Sequence, residues 1–152
     1  MEISSYFIED KCLFGPYPSN TDVKELEKNG VKYFVDLTSK EDKLDNYNCD
    51  TTYISYPIKD NSIPDDKEDF LNFLDYIKKV FYTLPAGDKI YIHCKGGHGR
   101  SGMLVACLLC CILGLRSEES ISKTSESHNK RPLLKKSGKI QYVQTIKNRE
   151  IM

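Results

Sequence analysis

At 152 residues the chain has room for one domain with a substantial core. Lys plus Arg and Asp plus Glu are balanced at 22 each, so no global charge steers it toward nucleic acid or acidic membranes. The longest apolar run, residues 103–115, falls short of the ~20 residues that span a bilayer, and the short, polar opening does not read as a signal peptide.

In chain order, residues 2–14 alternate loosely and predict a short strand or hairpin, broken by Gly15-Pro16-Tyr17-Pro18. Ser19, Asn20 and Thr21 are candidate caps for a helix over 22–28, which Asn29-Gly30 ends. Residues 31–37 (VKYFVDL) are β-branched and aromatic and predict a central strand. A polar loop over 38–50, with room for a helical turn, leads to a strand at 52–56 stopped by Pro57. Residues 66–84 place Phe70, Leu71, Leu74, Ile77 and Phe81 at helical spacing, which predicts an amphipathic helix with those side chains in the core. A strand at 89–93 follows, then a glycine-rich turn and an apolar helix over 103–113. Ser117, as N-cap, opens a helix to about 127. Residues 128–136 read as a basic connection, and 138–150 as a last helix. Strands alternating with helices predict an α/β single domain over 1–152, with a mainly parallel central sheet flanked by helices.

The most informative stretch is IYIHCKGGHGRSG at residues 90–102. A buried strand runs into a loop with three glycines, Gly96, Gly97 and Gly99, and then into a helix. His93-Cys94 stands at one end and Arg100-Ser101 at the other. A tight loop closing on a helix N-terminus gathers backbone N–H groups and the positive end of the helix dipole into one bowl, which suits a tetrahedral dianion and a thiolate. Glycines admit backbone conformations closed to other residues. Such a bowl is expected to hold Cys94 ionised below the ordinary thiol range. Arg100 offers a planar fork for two phosphoryl oxygens, and Ser101 a hydroxyl for the sulfur. This pattern implies phosphoryl transfer to Cys94 and hydrolysis of the resulting thiophosphate.

HCKGGHGRSG resembles the signature loop of the cysteine-dependent protein tyrosine phosphatase superfamily at each defining position, His-Cys, five residues, then Arg-Ser. Over residues 12–148 the chain is similar to the compact dual-specificity branch, in particular to the cyclin-dependent-kinase-associated phosphatases. The resemblance implies Cys94 as nucleophile, Arg100 and loop residues Lys95, Gly96, Gly97, His98 and Gly99 as the phosphate cradle, Ser101 as an aid to thiolate departure, and His93 as an orienting residue. It also implies a carboxylic acid that protonates the leaving group. Pro57-Ile58-Lys59-Asp60 resembles the segment that carries this acid, which nominates Asp60, with Asp65 and Asp66 as rivals. Gln141 and Gln144 fall where the superfamily often positions the hydrolytic water, but the match of KIQYVQ is only approximate and a solvated helix face is the preferred reading for both.

The expected substrate is a phosphorylated protein, with phosphotyrosine first and phosphoserine or phosphothreonine also in view. Lys95 and His98 keep a second class open, phosphoinositides, inositol polyphosphates or RNA 5′-triphosphate ends, because rim cations favour multiply charged substrates. A non-catalytic phospho-binding module is the third reading. No metal or organic cofactor is expected, since three scattered histidines lack ligand spacing. No nucleic-acid partner and no membrane span are expected, and the chain is expected to be a monomer. Six cysteines without disulfide or zinc regularity suggest a reducing cytoplasmic or nuclear setting. A cap on oxidised Cys94 from Cys12 or Cys49 is the alternative use of those thiols.

Overall fold

A computed structural model describes residues 3–132. The expected helix over 138–150, and Gln141 and Gln144 with it, lie outside the described residues.

The opening segment is a hairpin of β1 (Ser5–Ile8) and β2 (Cys12–Gly15), paired antiparallel. Helix α1 (Asn20–Lys28) follows, then β3 (Val31–Asp36), a 3₁₀ turn at Lys40–Asp42 and β4 (Thr52–Ser55). Helix α2 (Lys67–Tyr82) crosses to β5 (Lys89–His93), which feeds α3 (Gly99–Leu113), and α4 (Ser117–Asn129) packs back. The sheet order is β1-β2-β5-β3-β4, with every pairing but the hairpin parallel. The mainly parallel α/β reading therefore holds.

The apolar character of β5 and α3 follows from their central position. Ile90, Tyr91, Ile92 and His93 are buried, as is the first ten-residue run of α3 from Arg100 to Leu109. Each large apolar side chain withdrawn from water there contributes about 1.5–3 kcal/mol relative to its exposed state. Arg100 and Ser101, in the first turn of this helix, are carried into the interior with it.

Several local expectations are corrected. Ser19 is the N-cap of α1 and forms a capping box with Asp22, so the helix starts at Asn20. Strand β3 ends at Asp36 because its carboxylate accepts the Thr38 N–H and turns the chain. Strand β4 likewise ends one residue early, at Ser55. On α2 the buried stripe is Phe70, Phe73, Leu74, Ile77 and Val80. Leu71 is 47% exposed and Phe81 only partly covered, since the helix turns a slightly different face to the sheet. Arg116, not Ser117, precedes the first turn of α4, and no side chain caps it. That helix extends to Asn129, so His128 is a buried helical residue and not part of a basic loop. Among the described residues no helix is long and apolar enough to cross a membrane.

Candidate functional site

The site forms beyond the carboxyl ends of β5 and β3, where parallel α/β sheets open a crevice. Cys94 follows β5 directly and is 3% exposed. The Ser101 hydroxyl donates to its sulfur at 2.9 Å. Cys94, Lys95, Gly96, His98, Gly99 and Arg100 line a cavity of about 330 Å³, closed on its far side by Asp60 and Asn61. Of the residues 94–100 singled out from sequence, all but Gly97 thus face one pocket, while His93 and Ser101 stand behind it.

Gly97 has a structural part instead. Its φ is +78°, and a Cβ there would collide with the backbone of Gly15 and Pro16. The loop is sewn to the β2–α1 turn by a hydrogen bond from the Tyr17 N–H to the Lys95 carbonyl, 3.1 Å. Gly96 and Gly99 have no positive φ, so the expectation that all three glycines serve unusual backbone conformations is corrected to Gly97 alone.

Arg100 is 2% exposed, and three of its N–H donors are placed. Nη1 donates to Asp42 Oδ2 at 2.9 Å and to the Ile58 carbonyl at 2.8 Å, and Nη2 donates to Asp42 Oδ1 at 2.9 Å. Ile58 is held by its own N–H bonding Leu37 O, which continues the β3–β4 pairing past the strand ends. A guanidinium has five N–H groups. Three are spent on Asp42 and Ile58, which leaves the Nε–H and one Nη2–H side by side on one edge. Nε has no hydrogen-bond partner, and Asp60 Oδ1 stands 3.6 Å from it. Burial is the largest single influence and works against the charge on Arg100, but the Asp42 hydrogen bonds together with the negative charges of Cys94, Asp42 and Asp60 outweigh it, so its pKa moves up. In return the Arg100 bond holds the Asp42 carboxyl down at about 2, against its partial burial.

Behind Cys94, His93 is fully buried. Its Nδ1 lies 3.4 Å from the Cys94 carbonyl and 3.8 Å from Asp36 Oδ1, and its Nε2 is 2.7 Å from the Tyr47 hydroxyl. Burial drives the His93 pKa down, with Asp36 opposing, so the ring is neutral near pH 7. Because the Cys94 carbonyl can only accept, we assign the proton to Nδ1, and Nε2 then accepts from Tyr47 O–H. The rings of Tyr17, Tyr47 and Tyr91 enclose the imidazole at centroid distances of 5.2–5.7 Å.

Asp42 and Tyr47 were invisible as site residues in the sequence. Both sit on the polar segment 38–51, which carries no motif. The one available signal was the Ser39-Lys40-Glu41-Asp42 capping-box pattern, which the structure forms. His128 likewise carries no sequence signal that links it to the loop. From α4 it sets its ring edge-on to His98 of the loop, centroids 6.0 Å apart, and burial and nearby Arg131 lower its pKa to about 4.

Of the rival acids, Asp66 is committed as the N-cap of α2, accepting the Asp69 N–H at 3.0 Å. Neither Asp65 nor Asp66 lines the Cys94 cavity, whereas Asp60 does. Cys12 lies in the core with its thiol pushed up to about 12 by burial, and all six cysteines are free.

The sequence of residues 15–152 matches the family model described as PTP-SAK, Swiss Army Knife protein, DSP-PTPase phosphatase domain. Over 136 residues the chain is 41% identical to 067L of Invertebrate iridescent virus 3, a protein that bears a tyrosine phosphatase's name, covering 88% of this chain and 57% of that one. The chain spans about half the length of the curated relatives it matches. The crystal structure of Tk-PTP in its active form superposes with a TM-score of 0.71 at 21% identity, covering 97% of each chain. A kinase-associated phosphatase with its catalytic cysteine replaced by serine gives 0.68 at 17% identity, covering 95% of this chain and 88% of that one. Both structural likenesses concern the fold.

Proposed function

From its membership of the DSP-PTPase phosphatase domain family, to which this chain belongs, we propose that it is a cysteine-dependent phosphatase that hydrolyses phosphotyrosine in proteins, and phosphoserine or phosphothreonine where the pocket admits them. The observation that carries this reading is the open edge of Arg100, a buried two-donor fork beside the Cys94 sulfur.

A phosphoryl group in the bowl places two oxygens on Nε and Nη2 of Arg100 and the remainder toward the first-turn N–H groups of α3. The Cys94 thiolate attacks phosphorus, the bond to the leaving oxygen breaks, and Asp60 delivers a proton to that oxygen. Water then attacks the cysteinyl phosphate, phosphate departs, and the sulfur leaves as a thiolate that Ser101 stabilises through its hydroxyl. His93 orients the loop through its Nδ1–H and takes no proton, because burial keeps it neutral. The six free thiols fit a reducing compartment.

The test is turnover of a phosphotyrosine peptide and of an aryl phosphate under reducing conditions. Cys94→Ser is expected to remove at least about 10⁴-fold of the rate; activity that survives it rejects the mechanism. Asp60→Asn is expected to slow an alkyl phosphate by about 10²–10³-fold and an aryl phosphate with a good leaving group much less. Equal losses on both remove Asp60 from the role of acid.

A further inference from the structure

The segment that carries Asp60 is anchored at two points. At its start Ile58 is buried; its N–H bonds the Leu37 carbonyl at 3.0 Å, and its own carbonyl accepts from Nη1 of Arg100 at 2.8 Å. Lys59 to Ser62 then form a turn, closed by the Ser62 N–H on the Lys59 carbonyl at 3.1 Å. Asn61 is the third residue of this turn and has φ +60°. A turn with positive φ at its third position takes glycine or asparagine, because a branched or bulky side chain there meets the backbone. Lys59-Asp60-Asn61-Ser62 satisfies that condition with asparagine.

The left-handed residue has a consequence for the acid. It folds the Asn61 N–H back onto Asp60 Oδ1 at 2.9 Å. The Asp60 side chain is 58% exposed, and this is the one hydrogen bond its carboxylate accepts among the described residues. Its other near contact, 3.6 Å to Arg100 Nε, is too long for a hydrogen bond. An exposed carboxylate without such a bond rotates among its staggered positions in water. Both contacts fall on Oδ1, which leaves Oδ2 for a proton. Asp60 and Asn61 together line the cavity they share with Cys94.

We propose that Asn61 is a positioning residue for the acid step. Its left-handed backbone holds the Asp60 carboxyl by Oδ1, and Oδ2 passes its proton to the leaving oxygen as the P–O bond breaks and the electron pair stays on that oxygen. This rests on the phosphatase reading above, with Asp60 as its acid. The role belongs to the main chain at position 61, so glycine can stand in for asparagine and a β-branched residue cannot.

The experiment measures Asn61→Gly, Asn61→Val, Asp60→Asn and the double variant Asp60→Asn/Asn61→Val on an alkyl phosphate and on an aryl phosphate with a good leaving group. The aryl substrate departs without needing a proton, so it controls for folding and phosphate binding. Asn61→Val is expected to lower kcat about ten- to thirty-fold on the alkyl phosphate and less than about three-fold on the aryl one. Asn61→Gly, the conservative variant, recovers the alkyl rate to within about three-fold of native. In the double variant Asn61→Val costs no more than about two-fold beyond Asp60→Asn on the alkyl phosphate, since both act through one carboxyl. Equal losses on the two substrates in Asn61→Val, an Asn61→Gly as slow as Asn61→Val, or additive losses in the double variant overturn the proposal while the acid stands. Asp60→Asn with no selectivity for the alkyl phosphate removes the acid itself, and the positioning role with it. The contact also has a readout without turnover. The ¹H shift of the Asn61 amide is expected to follow protonation of Asp60 as pH is lowered, and to stop following it in Asp60→Asn. A shift that responds identically in both proteins overturns the proposal whatever the rates.

Discussion

The phosphate loop at residues 93–101 and the segment at residues 38–51 meet at Arg100, and they encode the site in opposite ways. The loop holds its parts by local spacing: strand, Cys94, Gly97, then Arg100 and Ser101 on the first turn of α3. The 38–51 segment has no regular structure beyond one 3₁₀ turn, yet it supplies the bidentate partner of Arg100 and the hydroxyl partner of His93. In the proposed mechanism one region carries the reacting groups, and the other fixes where they point. A reactive group is recognisable by its own identity and spacing, whereas a group that only positions it is recognisable by the contact it makes.

The largest expected effect tests whether loop geometry is as locally fixed as this contrast requires. Gly97→Ala puts a side chain at φ +78° and drives its Cβ into the backbone of Gly15 and Pro16. The left-handed backbone alone costs about 1–2 kcal/mol, and no flexible side chain is available to yield, so a total loss of about 3 kcal/mol is expected in denaturant unfolding. Gly96→Ala, whose Cβ meets only the movable ring of His98 at 3.0 Å, is expected to cost less than about 1 kcal/mol. Equal losses at the two glycines would break the argument.

This asymmetry matches what the sequence revealed. The loop, the sheet class and the burial of α3 were legible because they depend on patterns within ten or fifteen consecutive residues. The place of Asp60 on the wall of the Cys94 cavity is legible through its position after a strand and Pro57. Asp42 was not, because its partner is 58 positions away and nothing beside it in sequence marks it as the anion for a buried guanidinium. Leu71 was misplaced for a related reason: helical spacing fixes a stripe only to within one residue, and the sheet decided in favour of Phe73 and Val80. His128 reads as loop in the sequence because the basic residues that follow it mask the last two residues of α4.

Removing the long-range anion is the next test. Asp42→Asn keeps the shape but leaves the Arg100 charge buried without its counter-ion, and an amide N–H now faces an arginine N–H. A stability loss of about 2–4 kcal/mol is expected, with kcat/KM on an aryl phosphate down about 10–100-fold, chiefly through KM, as the fork loses its orientation. The same pair sets an acid limit. Asp42 has a folded-state pKa of about 2 against an ordinary 3.8, so its contribution, about 2 kcal/mol, is complete above pH 4 and is lost as pH falls toward 2. Native protein is therefore expected to lose unfolding free energy more steeply than Asp42→Asn over that interval. Parallel pH profiles would mean that the pair does not stabilise the fold.

The smallest effect concerns the second contact made by the 38–51 segment. Tyr47→Phe removes the hydroxyl that donates to His93 Nε2 while preserving the ring packing against Tyr17, Phe34 and Tyr53. Burial keeps His93 neutral, so the lost bond is an ordinary one between uncharged groups, worth about 1 kcal/mol, plus the cost of a buried ring nitrogen without a donor. Turnover is expected to fall about three- to ten-fold in kcat with KM nearly unchanged, because the imidazole then relies on the 3.4 Å contact to the Cys94 carbonyl to hold the loop. The ring proton provides an independent readout. In native protein the hydroxyl fixes the Nδ1–H tautomer, whereas in Tyr47→Phe the two tautomers mix, and the imidazole ¹⁵N shifts move toward their average. Unchanged shifts together with unchanged kcat would show that the loop orients Cys94 without help from the distant segment, leaving Asp42 as the only link between the two regions that bears on catalysis.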